Sequence, residues 1–320
     1  MTIALSVQDL GKTFGGGRNL LGGVKPAVQA VGGVSFQVAQ GETLGIVGES
    51  GCGKSTLARM LVGLLPPSTG RIEIEGKNLS KQSGDPAAFG RLIQYVFQDP
   101  ISSLNPRKTI RQILEAPLIH LLGMEAAARK ARIAELFEAV NLRPEFLGRY
   151  PHEFSGGQAQ RIGIARALAA APRILVLDEP VSALDVSVQA QVLNLLSDLR
   201  RAFDLTYLFI SHDLAVVEAV SDRVAVLYFG RIVEMGRAEA VFTTPRHPYT
   251  ELLAQSAPVV GRPLARSEAA TAELPDPLRP PPGCAFAARC RRVQDDCRKA
   301  PPQTSHLADD HEAACLHPLR

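Results

Sequence analysis

The stretch Leu44-Gly45-Ile46-Val47-Gly48-Glu49-Ser50-Gly51-Cys52-Gly53-Lys54-Ser55-Thr56 decides the fold. Residues 44–47 form a short apolar run of the kind a buried strand carries, and Gly48 breaks it. Gly48, four residues, then Gly53-Lys54-Ser55 match the phosphate-loop pattern G-x-x-x-x-G-K-[ST]. Glycines let such a loop curl with its N–H groups turned inward around an anion, where side chains would collide. Residues 48–56 are therefore expected to hold the phosphates of a nucleotide. Lys54 places a point charge at the β- and γ-phosphates, and Ser55 offers a hydroxyl ligand to Mg²⁺. Residues 56–61 continue as a helix whose N-terminal dipole faces the same phosphates.

At 320 residues the chain is long enough for a full α/β core and an appended module. It is 46% hydrophobic and 21% charged, with a net charge of +3 and no block of like charges, which gives no basis for a nucleic-acid partner. The opening M-T-I-A-L-S-V-Q-D-L lacks the charged and apolar regions of a signal peptide, so the chain is expected in the cytosol. No stretch reaches 18 uninterrupted apolar residues; 205–229 comes nearest but contains His212, Asp213, Glu218, Asp222 and Arg223. If the chain works at a membrane, other subunits must cross it.

Around the loop, residues 2–8 and 34–38 alternate like strands, with Gly15-Gly16-Gly17 and Gly22-Gly23 marking a loop between them. Strands are expected at 71–75, 93–97, 174–177, 206–210 and 224–228, and helices at 109–142, 155–170 and 186–200. Alternation of this kind predicts an α/β fold with a mostly parallel, helix-covered sheet. Composition changes after about residue 257: 258–283 is Pro-rich and reads as a linker, and 284–320 as a cysteine-rich tail.

Two further stretches bear on the nucleotide. Ile174-Leu175-Val176-Leu177-Asp178-Glu179 sets two carboxylates at the end of a buried strand, the first to hold Mg²⁺ and the second to polarise an attacking water. Phe154-Ser155-Gly156-Gly157-Gln158 makes a second anion site, with Ser155 as N-cap and two glycines allowing close backbone approach.

On these motifs the chain resembles the ATP-binding cassette (ABC) family, whose signature is matched by 154–158. The resemblance implies a cassette with a RecA-like core, an antiparallel β subdomain and a helical subdomain at about 100–170, all within 1–257. It also implies a head-to-tail dimer in which Ser155, Gly156, Gly157 and Gln158 of one subunit cover the ATP held by Lys54's loop of the other. Gln98 takes the place of the Q-loop glutamine, a Mg²⁺ ligand and sensor. Ser182-Ala183-Leu184-Asp185 resembles the D-loop, with Asp185 at the dimer seam. His212 matches the switch histidine at the γ-phosphate, and Phe14 the aromatic that stacks on adenine. Ala159, beside the signature, departs from the larger polar or basic residue that many members carry, a change expected to soften contact with the partner's nucleotide without removing a catalytic group.

The likeness narrows further. Gln98-Asp99-Pro100-Ile101-Ser102-Ser103-Leu104-Asn105-Pro106-Arg107, Arg149-Tyr150-Pro151-His152-Glu153-Phe154 and His247-Pro248-Tyr249-Thr250 resemble the ATPase subunits of dipeptide and oligopeptide importers, F-type of a D/F pair. That implies an ATP-hydrolysing subunit at the cytoplasmic face of the inner or plasma membrane. Its expected partners are a D-type paralogous ATPase, two transmembrane permease subunits and an extracytoplasmic peptide-binding protein. The alternative is a non-transport ABC ATPase acting on nucleic acid or the ribosome. Those usually carry two cassettes or a long coiled-coil insertion, and this chain has one cassette and no sustained heptads.

The tail poses a separate question. Cys284, Cys290, Cys297 and Cys315 are spaced C-x5-C-x6-C-x17-C in a segment with few large apolar groups. A cross-link is expected to order it, and a reducing compartment disfavours disulfides. Four thiolates suit a [4Fe–4S] cluster, or Zn²⁺ as the alternative. Zinc sites favour paired C-x2–4-C knuckles, which are absent here, and the importer resemblance also points to the cluster. Cys52 belongs to the phosphate loop and not to this set.

Overall fold

The computed structural model describes residues 2–17, 26–78, 86–256, 274–308 and 310–320. The Gly22-Gly23 turn and the 258–273 part of the expected linker lie outside the described residues. The elements, in chain order, are β1 (Ile3–Gly15), β2 (Ala27–Ala39), β3 (Thr43–Val47), α1 (Lys54–Leu61), β4 (Thr69–Ile74), β5 (Lys77–Asn78), α2 (Pro86–Leu92), β6 (Ile93–Val96), α3 (Ile110–His120), α4 (Ala126–Ala139), α5 (Gly156–Ala169), β7 (Ile174–Asp178), α6 (Val186–Ala202), β8 (Thr206–Ile210), α7 (Leu214–Val220), β9 (Arg223–Tyr228), β10 (Arg231–Arg237), α8 (Ala238–Thr243), α9 (Pro248–Ser256), β11 (Ser305–Ala308) and β12 (His311–Ala313). The chain divides into two compact units, 1–6, 37–43 and 73–210 in one and 7–36, 44–72 and 211–320 in the other.

In the first unit β6, β7 and β8 run parallel, with Ile93 opposite Ile174 and Ile174 opposite Thr206. Every residue of β7 and β8 is buried, the continuous apolar pattern of a sheet covered on both faces. Helices α3, α4 and α5 pack together, and Ile113, Leu114, Phe137, Ile162 and Leu168 on them are buried. The expected single helix over 109–142 is instead two, and the break falls at Gly123, whose φ of +61° an Ala-rich helix cannot continue through. Thr109 caps α3 with a capping box to Gln112. β5 pairs antiparallel with the end of β4, Glu73 opposite Asn78.

In the second unit β3 and β9 are parallel, Ile46 opposite Ala225, and β10 returns antiparallel to β9. The β9–β10 turn is Phe229-Gly230, both at positive φ (+47° and +76°), the geometry of a two-residue turn that matches strand twist. Strands β1, β2, β4 and β5 form a separate four-stranded sheet in the order β2-β1-β4-β5. The tail does more than hang on its cysteines. β12 pairs antiparallel with β10 and with β11, and Phe286, Ala287, Ala313 and Ala314 are buried. Strand pairing, which was not expected from the sequence, orders part of the tail. Glu234 of β10, buried, accepts from the N–H groups of Arg246 and His247 and bonds His311 at 2.7 Å, tying β10, the start of α9 and β12 at one carboxylate.

Candidate active site

The phosphate loop sits between β3 and α1, and its glycines are required by its shape. Gly48 (φ +155°) and Gly53 (φ +107°) would each drive a Cβ into a backbone carbonyl, of Leu227 and Ala30 respectively. Lys54 is buried, and its ammonium donates to the carbonyls of Gly48 at 2.6 Å and Glu49 at 2.9 Å, so the cation is held inside the curl of its own loop. Ser50, Gly51 and Ser55 are exposed, and Thr56 is half-buried. Cys52 is buried, and loss of hydration pushes its thiol up, which suits a space-filling residue rather than a reactive one. Gly230 N–H donates to Cys52 O at 2.8 Å, so the β9–β10 turn braces the loop.

Glu49 departs from the expectation that the loop's N–H groups all turn inward. Its N–H donates to the Tyr249 hydroxyl at 2.9 Å, and its carboxylate takes two bonds of 2.7 Å from Arg289. Its polar groups are engaged within the protein.

At the end of β7, Asp178 is buried and accepts from the Tyr95 hydroxyl at 2.5 Å. Glu179 follows at φ +48°, a left-handed conformation that costs a non-glycine residue on the order of 1 kcal/mol. Its N–H is fixed to Ile210 O at 2.8 Å, and its carboxylate accepts from Gln98 Nε2 at 2.8 Å. The three residues expected to share Mg²⁺ and water chemistry in this unit thus meet at one strand end. Sequence reading missed Tyr95, whose partner is 83 residues away.

Ser155 caps α5 as expected. Its Oγ accepts from the Gln158 N–H and Gln158 Oε1 accepts from the Ser155 N–H, a capping box that leaves Ser155 and Gly156 exposed at the helix start. Gly157 has an internal reason as well: a Cβ there would lie 2.5 Å from Val188 Cγ1 of α6. Ala159, next to the capping box, is fully buried, its methyl packed inside the protein. Asp185 is the exposed N-cap of α6 and Val186 after it is 83% exposed.

In the second unit, His212 follows β8 on the exposed surface, and Asp213 caps α7 by accepting from Ala215 and Val216. Phe14, the penultimate residue of β1, is 44% exposed with the Lys12 ammonium 5.4 Å from its ring centroid. An aromatic presented to solvent in this way is available for stacking, unlike a core phenylalanine.

Cys284, Cys290, Cys297 and Cys315 are all free thiols, half-buried, and border one small cavity with Phe286 and His317. Burial pushes three of them up, Cys315 to about 11, and the cysteines raise one another, so thiolates here need a cation. Among the described residues no three of these sulfurs lie within 4.8 Å of one another. A tetrahedral Zn–S₄ site, with bonds of ~2.3 Å, has edges of only ~3.8 Å. The compact trio is Asp296, Cys297 and His317, the last bonded to both Asp296 oxygens at 3.0 Å. His247, behind the cavity, is held neutral by burial, its pKa pushed down to about 3, and its Nδ1 accepts from the Tyr249 N–H.

Comparison with known proteins agrees with these motifs. Residues 31–182 match the ABC transporter family and 233–297 match the C-terminal region of oligopeptide/dipeptide transporters. The chain is 49% identical over 292 residues to the dipeptide transport ATP-binding protein DppF of Haemophilus influenzae, covering 91% of this chain and 89% of that protein. It is 45% identical over 324 residues to the oligopeptide transport ATP-binding protein OppF of the same organism, covering 99% and 98%. The ADP- and phosphate-bound cassette dimer of MJ0796 superposes with a TM-score of 0.65 at 28% identity, over 73% of this chain and 98% of that one. These relatives are transport ATPases, and the alternative of a nucleic-acid or ribosome-directed ATPase does not hold. No described helix is long and apolar enough to cross a membrane. The chain belongs to the ABC transporter family, as an ATP-binding subunit of the oligopeptide/dipeptide transporter type.

Proposed function

We propose that this chain hydrolyses ATP to ADP and phosphate to power import of di- and oligopeptides, working as one cassette of a dimer on the cytoplasmic face of two permease subunits. The observation that carries the proposal is the full hydrolytic set on one chain, with likeness to peptide-transport ATPases along nearly its whole length. The second cassette is a D-type paralogue, and an extracytoplasmic binding protein delivers the peptide.

Glu179 takes the proton side of the reaction: its carboxylate, aimed by Gln98, polarises the attacking water. His212 positions that water against the γ-phosphate. Lys54 and the loop N–H groups neutralise the phosphates, and 155–158 of the partner cassette closes over them. Phe14 stacks on the adenine. Ser55, Gln98 and Asp178 would hold Mg²⁺, which supplies charge neutralisation at the β- and γ-oxygens. We assign 1–257 to the nucleotide-binding domain, 258–283 to a linker and 284–320 to a tail in which Cys284, Cys290, Cys297 and Cys315 hold a [4Fe–4S] cluster as a structural cross-link.

The test is reconstitution with the neighbouring permease subunits, paralogous ATPase and binding protein in proteoliposomes. ATP turnover stimulated by peptide-loaded binding protein, with peptide accumulating inside, is expected. Turnover that no peptide stimulates, or co-purification with nucleic acid in place of permeases, would overturn the proposal.

A further inference from the structure

The phosphate loop carries a carboxylate one residue after its first glycine. A negative group at that point opposes the binding of a triphosphate unless it is turned away and neutralised. Here Arg289 does both. Its two terminal nitrogens meet the two Glu49 oxygens at 2.7 Å each, the paired geometry that a guanidinium offers and an ammonium does not. The Arg289 side chain is only 3% exposed and Glu49's 30%, so solvent does little to screen the pair. Glu49 raises the basicity of Arg289 further, against the opposing effect of burial.

Arg289 is built into its place. Its guanidinium lies 5.6 Å from the Phe286 ring centroid and 5.8 Å from that of Tyr228. Those rings pack on Tyr249 at 5.4 and 4.5 Å, and the Tyr249 hydroxyl accepts from the Glu49 N–H. One aromatic cluster thus supports both contacts to Glu49. Arg289 also sits directly before Cys290, in a segment closed by Cys284 N–H donating to Cys297 O at 2.7 Å and by Arg289 N–H donating to Phe286 O at 2.9 Å.

We infer that the cysteine-rich tail acts in cis on the nucleotide site, with Arg289 as a positioning residue that neutralises Glu49 and sets the phosphate loop for ATP. The inference rests on the reading of residues 48–56 as a nucleotide loop and is independent of which metal the cysteines hold.

The experiment measures the Kd of the full-length chain for a fluorescent ATP analogue with Mg²⁺, alongside thermal melting. Binding by the wild-type chain tests the loop reading itself. Arg289→Met is expected to weaken binding about tenfold, because it leaves the Glu49 charge uncompensated. Arg289→Lys, which keeps the charge but loses the paired bonds, is expected to weaken it about threefold. Arg289→Met combined with Glu49→Gln is expected to return within about twofold of wild type, since the repelling charge is gone. Loss of packing alone would not be rescued by removing a carboxylate. Wild-type affinity in Arg289→Met, or a double variant as weak as the single, would overturn the inference while leaving the loop reading intact. If Arg289→Met does not fold, unchanged affinity in Arg289→Lys would overturn it.

Discussion

Gln98 Nε2 donates to Glu179 Oε2 at 2.8 Å across 81 residues of sequence, joining the residue expected to sense the membrane partner to the one expected to polarise water. The Glu179 backbone is held at φ +48° by its bond to Ile210, so the side chain projects from a fixed and locally costly turn. An acid in such a place is there for its direction, not for stability.

Glu179→Gln keeps the shape of the side chain and can still bond Gln98, but it cannot accept a proton. ATP binding should be retained while kcat falls on the order of 10²–10⁴-fold, the usual scale for one positioned base. The measurement is steady-state turnover in the reconstituted transporter beside an ATP-analogue Kd. Near-normal turnover would remove Glu179 from its role.

Tyr95→Phe tests the other carboxylate. The hydroxyl bonds Asp178 from inside the sheet, where Asp178 is buried, so its loss leaves a carboxylate oxygen short of a donor. Groups that orient a metal ligand typically cost 10–100-fold in metal affinity when removed. The Mg²⁺ concentration for half-maximal ATPase is therefore expected to rise about tenfold with kcat at saturating Mg²⁺ little changed. An unchanged Mg²⁺ dependence would reduce Tyr95 to a core residue.

The two tyrosines and Arg289 mark where sequence reading stops. The nucleotide motifs were legible because their chemistry fixes residue types at fixed local spacing: glycines at 48 and 53, the Lys-Ser pair, two acids after an apolar run. Tyr95, Tyr249 and Arg289 act on those motifs across 83, 200 and 240 residues, and no local pattern announces such partners. β10 was missed for a different reason. Its sequence, R-I-V-E-M-G-R, carries an internal acid, and only the fold shows that Glu234 is buried because three donors meet it. The break between α3 and α4 falls around Gly123, at φ +61°, inside a stretch whose apolar spacing favours one helix.

Gly157 makes a prediction that separates packing from nucleotide contact. Gly157→Ala puts a methyl 2.5 Å from Val188 Cγ1, closer than carbon atoms tolerate. Overpacking of this kind costs about 1–3 kcal/mol. Melting temperature should fall in the isolated chain, and Val188→Ala should restore it by opening the same space. A Gly157→Ala chain that melts like wild type would leave close approach to the partner's nucleotide as the sole reason for the glycine.

The tail cysteines yield the last prediction. Cys284, Cys290, Cys297 and Cys315 are free and half-buried, and burial pushes the thiols of Cys284, Cys290 and Cys315 up, so they would lose their protons only to a bound cation. Among the described residues no three of the four sulfurs lie within 4.8 Å of one another, and strands β11 and β12 already order part of the tail without them. The proposed cluster would tie Cys284, Cys290 and Cys297, in a stretch that β-pairing does not reach, to Cys315. Protein purified without oxygen should be brown, absorb near ~400 nm and hold about four irons per chain. Cys290→Ser should bleach it and lower the melting temperature while far-UV circular dichroism stays close to wild type, because the strand pairing of β12 with β10 survives. A colourless protein with one zinc per chain would decide against the cluster. Zinc retained in Cys290→Ser but lost in His317→Ala would place the metal at Asp296, Cys297 and His317 instead.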